Sequence, residues 1–177
     1  MKKIYLLSLL LLGAMSITGC SVKAVPAFQT SKQFHLKPIH LKFSEHIKPD
    51  IKYHTAEEIE ELLNMKINQN LQSENLLSSD PKMDDLTIDI NYERRFVGDE
   101  TSFPSDSLAG PKISFDITVT QGQTRKGVLS QDDSTLLTGN FFKNFVLIFG
   151  IIRGKEDEVD FIDTLAELIS NKIETLI

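Results

Sequence analysis

The chain has 177 residues, 19 basic and 25 acidic side chains, a net charge of −6 and a single cysteine. That balance excludes an electrostatic grip on nucleic acid, which rewards clustered Lys and Arg, and gives no attraction to anionic lipid headgroups. One cysteine allows no disulfide within the chain, so packing must supply the stability.

Met1, Lys2 and Lys3 form a short positive region, and residues 4–17 are apolar apart from Ser8, Gly13 and Ser16. This is the pattern of a secretory signal, and it is shorter than the roughly 20 apolar residues of a membrane span. It ends in Ile17-Thr18-Gly19-Cys20, a branched apolar residue, two small residues and the cysteine. The quartet resembles the lipobox of bacterial lipoproteins. The resemblance implies cleavage before Cys20, a diacylglyceryl thioether on its sulfur and an acyl chain such as palmitate on the new amino group. Each buried methylene contributes about 0.8 kcal/mol and two chains suffice for stable anchoring, so a lipidated Cys20 is held on a membrane without spanning it. Residue 21 is Ser. The Asp that often retains such lipoproteins in the inner membrane is not there, so the resemblance implies the periplasmic side of the cell outer membrane. Removing the first 19 of 177 residues leaves 158, enough for one domain, and the loss of Lys2 and Lys3 takes the net charge from −6 to −8.

Residues 20–33 are the lipidated Cys followed by small and polar residues without apolar periodicity, which reads as a tether reaching up to roughly 40 Å. In residues 34–50 the apolar parity flips at Pro38, from Phe34 and Leu36 to Ile39, Leu41 and Phe43. The flip predicts a bulge at Pro38 and a first strand over 39–47. Thr55 and Glu58 form a capping box, and Ile59, Leu62, Leu63, Ile67 and Leu71 follow at helical spacing, predicting a helix of about 17 residues.

The segment 86–97 alternates cleanly, with Leu86, Ile88, Ile90, Tyr92 and Phe96 on one face and Arg94 interrupting that face near the end. Glu93, Arg94 and Arg95 read as an exposed strand end with a cross-strand charge pair. A long loop over 98–112 precedes a second alternating strand with Ile113, Phe115, Ile117 and Val119 inward; a turn at 121–123 leads to a weaker strand over 124–131. The chain closes in a helix whose stripe is Val159, Ile162, Ala166, Ile169 and Ile173, with acidic residues 156–158 at the positive end of its dipole. The order β-α-β-β-β-α predicts an α+β fold over 34–177, a two-layer sandwich of a mainly antiparallel sheet with two helices on one face.

Residues 140–152, NFFKNFVLIFGII, carry four phenylalanines. The apolar part is only 12 residues long and contains Lys143 and Asn144, too short for a span. Two readings remain open. As a central strand or buried connector the run is core; as an exposed patch, Phe141, Phe142, Phe145 and Phe149 form an interaction surface for a partner or a lipid surface.

The four histidines, His35, His40, His46 and His54, are spaced by 5, 6 and 8 residues, which fits neither alternate strand positions nor an i, i+4 ligand pair. They read as solvated strand and loop residues, and no metal or cofactor is expected. Asp84-Asp85 and Asp132-Asp133 lack the alternating oxygens and central glycine of a calcium loop and read as turn or capping residues. No G-x-S-x-G, H-E-x-x-H or phosphate-binding glycine loop is present, so the sequence points away from an enzyme.

Together with Ile17 to Cys20, the element order is similar to that of small outer-membrane lipoproteins with a β-α-β-β-β-α periplasmic domain, a group that includes the lipopolysaccharide-assembly lipoprotein. The segment Gly-Phe-x-Leu-Arg-Gly of that protein has here only FHLKP at 34–38, displaced and without the glycines or Arg. The resemblance implies a membrane-anchored, non-enzymatic lipoprotein that binds or scaffolds an envelope protein partner. The second reading is a carrier or assembly factor for a lipid or glycolipid.

Overall fold

The computed structural model describes residues 28–137 and 153–177. Its elements are β1 (Phe34–Leu36), β2 (His40–Glu45), α1 (Ala56–Ser73), β3 (Asp84–Arg94), β4 (Lys112–Gln121), β5 (Thr124–Thr135) and α2 (Lys155–Glu174). The architecture is the α+β two-layer sandwich expected from the element order. The buried faces of both helices and the inward residues of β3 and β4 share one core. The other face of the sheet is polar, carrying His40, Lys42, Asp89 and Asn91 in solvent.

The first strand comes in two pieces, both parallel to β3 along the edge that β4 leaves free. Leu36 lies opposite Leu86 and His40 opposite Asp89, so four steps on one side match three on the other. One residue is therefore extra between them, and a single extra residue reverses which side chains face the core. That is the physical content of the parity flip at Pro38. The Ile39 amide, turned out of the ladder, donates instead to Asn64 Oδ1 on α1 at 3.1 Å. Pairing begins at Phe34, five residues before the start expected from sequence.

α1 has the anticipated capping box: Glu58 N donates to Thr55 Oγ1 at 3.2 Å and Thr55 N to Glu58 Oε2 at 2.9 Å. It ends at Asn75, whose φ of 56° lets Leu76 N reach back to Leu71 O at 2.9 Å and satisfies a final carbonyl. Ile59, Leu63, Ile67 and Leu71 are buried and Leu62 is half-buried.

Leu86, Ile88, Ile90 and Tyr92 of β3 face the core, as do Ile113, Phe115, Ile117 and Val119 of β4. β5 is longer than the 124–131 expected, because two one-residue bulges absorb its polar residues. Both are on β5, the edge strand, where bulges twist an otherwise open row of amides away from flat pairing. Along α2 the buried face is Phe161, Ile162, Leu165, Ala166, Ile169 and Ile173, with Val159 only half-buried. The stripe is thus rotated toward Phe161 and Leu165, which brings Glu158 inside.

Candidate functional site

β3 continues its inward alternation from Ile90 and Tyr92 to Arg94, so a guanidinium arrives where an apolar side chain would otherwise sit. It is buried, not part of an exposed strand end. Its Nε donates to Glu158 Oε1 at 2.7 Å, one terminal nitrogen to Glu45 Oε2 at 2.8 Å and the other to the His54 carbonyl at 2.5 Å. The rings of Phe43 and Tyr53 lie 4.7 and 5.4 Å from its central carbon, a further favourable environment for a cation.

Glu158 has no solvent exposure. Its second oxygen accepts the His54 N–H at 2.9 Å, with His54 Nδ1 also 2.9 Å away. A buried ion pair is tolerated only when its remaining hydrogen-bonding capacity is filled, and here it is. With its lone pairs occupied, Glu158 is a brace between β2, β3, α2 and the segment before α1, not a free base. Burial pushes the Tyr92 phenol up from its usual range, with the Glu158 charge adding to the effect. The same desolvation raises Tyr53, whose hydroxyl donates to Asp106 O at 2.6 Å. The Lys155 ammonium bridges both oxygens of Glu58 and holds that carboxyl below its ordinary range.

Above this brace rises the 97–107 loop. Val97 N donates to Ser107 O and Ser105 N to Val97 O, both at 2.9 Å, and Phe96 bridges Leu108 beneath them. Gly98 turns the chain at φ 75°, where a Cβ would crowd Thr101 Oγ1 and the Phe103 carbonyl. Arg95 closes the loop from below, donating to both oxygens of Asp99 at 2.6 and 2.8 Å and to Glu100 at 2.7 Å. These bonds hold Asp99 below the usual carboxylate range and raise Arg95 further. At the tip, Phe103 is 90% exposed.

The described residues that flank 138–152 lie at the base of this loop. Leu136 N donates to Pro111 O at 2.8 Å, and Arg153 Nε donates to Ser107 Oγ at 2.9 Å. Phe141, Phe142, Phe145 and Phe149 themselves lie outside the described residues, as does Cys20.

The opposite end of the sheet is built by residues 28–33, read from sequence as tether. Phe28 packs on Gly127 so closely that any Cβ there would collide with its ring. Thr30 Oγ1 donates to Leu176 O at 2.7 Å, Ser31 N to Asp84 Oδ2 at 2.7 Å and Gln33 to Asn75 O at 3.0 Å. Asp84 is a buried carboxylate rather than a turn residue, held from the other side by Lys126 at 2.8 and 2.9 Å from its two oxygens. Lys126 reaches it because the β5 bulge falls at that position. From Leu86, level with Gly127 through Val119, to Arg94 is eight strand residues, so the two poles are about 25 Å apart.

The histidines divide between surface and brace. His35 and His46 are exposed strand-end residues paired with Asp85 and Glu93, His40 is exposed, and His54 is in the buried network. Asp132 and Asp133 lie in the second β5 bulge. Among the described residues no cluster of His, Cys, Asp and Glu has the arrangement of a metal site. Most grooves among them are polar, such as one of about 450 Å³ between the helices lined by Lys66, Asn70, Asp163, Glu167 and Glu174, while a smaller one beside α1 also has Leu62 and Met65 in its lining.

The inward parity of Arg94 and the helical spacing of Glu158 with Phe161, Ile162 and Leu165 are the signals by which sequence alone could have found the brace.

No family model matches the chain, and no curated protein does. Among solved structures it is similar to protein XCC0632 from Xanthomonas campestris, of family model DUF330, at 12% identity and a TM-score of 0.41, covering 85% of this chain and 89% of that one. It is also similar to the rare lipoprotein B from Shewanella oneidensis, at 12% identity and a TM-score of 0.28, covering 76% of this chain and 97% of that one. Likenesses of this size carry no argument about function.

Proposed function

We propose that the protein is a lipoprotein of the cell outer membrane, anchored on the periplasmic side through lipids on Cys20, whose domain binds or scaffolds an envelope protein without catalysing a reaction. The observation that carries this reading is the N-terminal pattern ending in Ile17-Thr18-Gly19-Cys20. With residues 28–33 held against the fold, the link from Cys20 to Phe28 spans at most about 25 Å. The N-terminal pole therefore stays within about 25 Å of the membrane, and the loop pole is the end more remote from the anchor.

A lipid or glycolipid carrier is the second reading. Most grooves among the described residues are lined by charged and polar side chains, and one beside α1 adds Leu62 and Met65 to its polar lining, so its support comes from that groove and from the composition of residues 138–152.

Two measurements test the proposal. Mass analysis of the mature N-terminal peptide should find acylated Cys20, and Cys20→Ser should release the protein from the membrane fraction; an unmodified, soluble wild type would refute the anchor. Photo-crosslinking residues at Phe142, Phe145 and Phe149, in cells with Cys20 intact, should capture an envelope protein. Extractable lipid retained by the purified, anchor-free chain would favour the carrier instead. Crosslinks confined to the chain at all three positions would make the run core.

A further inference from the structure

A single phenylalanine in solvent is ordinary in itself, but Phe103 stands on a braced loop. The loop around it is fixed by the backbone pairs of Val97 with Ser105 and Ser107, by Thr101 N to Gly98 O at 2.9 Å, and by the Arg95–Asp99–Glu100 fork. Thr101 Oγ1 accepts the Phe103 amide at 3.3 Å, and Pro104 restricts Phe103 to extended backbone. Of the described phenylalanines it is the one classed as exposed; the rest are buried or half-buried. An aromatic ring held out on a rigid support has already met the ordering cost that docking demands, which is the property of an interface anchor.

The surroundings specify the partner. Residues 97–107 contain Asp99, Glu100 and Asp106 and no basic side chain; the cations at the base are Arg95, engaged by two of those carboxylates, and Arg153, bonded to Ser107, so three acidic groups face two basic ones. Glu100 remains 83% exposed, three residues before Phe103 in the same loop. An acidic rim is repelled by anionic lipid and attracted by Lys and Arg. The loop also stands at the pole remote from Phe28, the end farther from an anchor at Cys20.

We infer that Phe103 is the docking anchor of this domain, inserting into an apolar pocket rimmed by basic side chains on an envelope protein. This rests on the binding role proposed above and names the surface that performs it.

The test places a photo-crosslinking residue at Phe103 in the full-length lipidated chain in cells, with Gln123 on the turn at the opposite pole as control. The expected result is one protein captured from 103 and not from 123, through an apolar peptide flanked by Lys or Arg. Phe103→Ala should lower recovery of that protein by about thirtyfold or more, and Glu100→Lys should lower it too. Phe103→Tyr, which keeps the ring, should retain it. Melting temperature should move by less than about 2 °C in each, separating lost binding from lost folding. A phospholipid adduct at 103, a partner peptide with an acidic rim, or recovery unchanged by Phe103→Ala would overturn the inference. If a protein is captured from Phe142, Phe145 or Phe149 and Phe103→Ala does not affect it, the binding role stands and the anchor assignment falls. No protein from any of the four positions removes both.

Discussion

At the loop pole a buried guanidinium is saturated by Glu158, Glu45 and a backbone carbonyl, while at the N-terminal pole a buried carboxylate is held by one amide and a partly exposed lysine. The first arrangement knits four chain segments into one geometry, and the 97–107 loop stands on it. The second fastens a single N-terminal strip with an aromatic plug and a few hydrogen bonds. Charge networks cost desolvation energy and return definition of geometry, so their place in a fold marks where geometry matters. Here that place is the pole that carries the 97–107 loop.

The comparison breaks if the two poles respond alike to losing a cation. Arg94→Ala should destabilise the protein by about 3–5 kcal/mol in urea unfolding, because it strands Glu158 in the core. Replacing Arg94 and Glu158 together by apolar residues of similar volume should recover much of that loss. Lys126→Ala should cost less, about 1.5–3 kcal/mol, since Asp84 keeps the Ser31 amide and water can reach the lysine site. Equal losses would show that the poles are held with equal force.

Smaller effects sharpen the same contrast. Thr55→Ala removes half of the capping box at the loop pole and should cost about 1 kcal/mol, with early hydrogen exchange at the first turn of α1 as the local readout. Asp99 has a folded pKa depressed by Arg95, so its contribution is fully present above the unfolded carboxylate value and is lost as pH falls through the folded one. Acid unfolding below about pH 4 should therefore be shallower in Asp99→Asn than in the wild type, and the loop should loosen first. An unchanged acid limb would mean that the fork contributes nothing to stability.

Most of the fold was legible because each signal had a single physical cause. Thr55 and Glu58 marked a helix start, the alternation from Leu86 to Tyr92 marked a half-buried strand, and the flip at Pro38 marked one extra residue in a ladder. Strand direction was not legible, since alternation is the same in parallel and antiparallel pairs and residues 34–36 were too few to read as a strand. Arg94 and Glu158 were misread for one reason. A charged residue on an apolar face reads as the end of that face although its spacing continues the pattern, and the partners that make Arg94's burial tolerable, Glu158, Glu45 and the His54 carbonyl, are 40 to 64 residues away. Cys20 and the four phenylalanines were legible as chemistry but lie outside the described residues, and the shape of the 97–107 loop depends on Arg95 and Gly98 acting together.

The bond from Thr30 to Leu176 joins residues 146 apart in sequence. A chain that emerges from a ribosome or a translocation pore N-terminus first cannot close this seam until Leu176 is out. The helix and the β3–β4–β5 meander can form early from neighbouring segments, but sealing residues 28–33 against the end of α2 must come last. Truncation by a few C-terminal residues should thus leave a nearly complete sandwich whose leading strip stays loose. Emergence of Leu176 is thereby coupled to the firmness with which the domain is seated on its own tether.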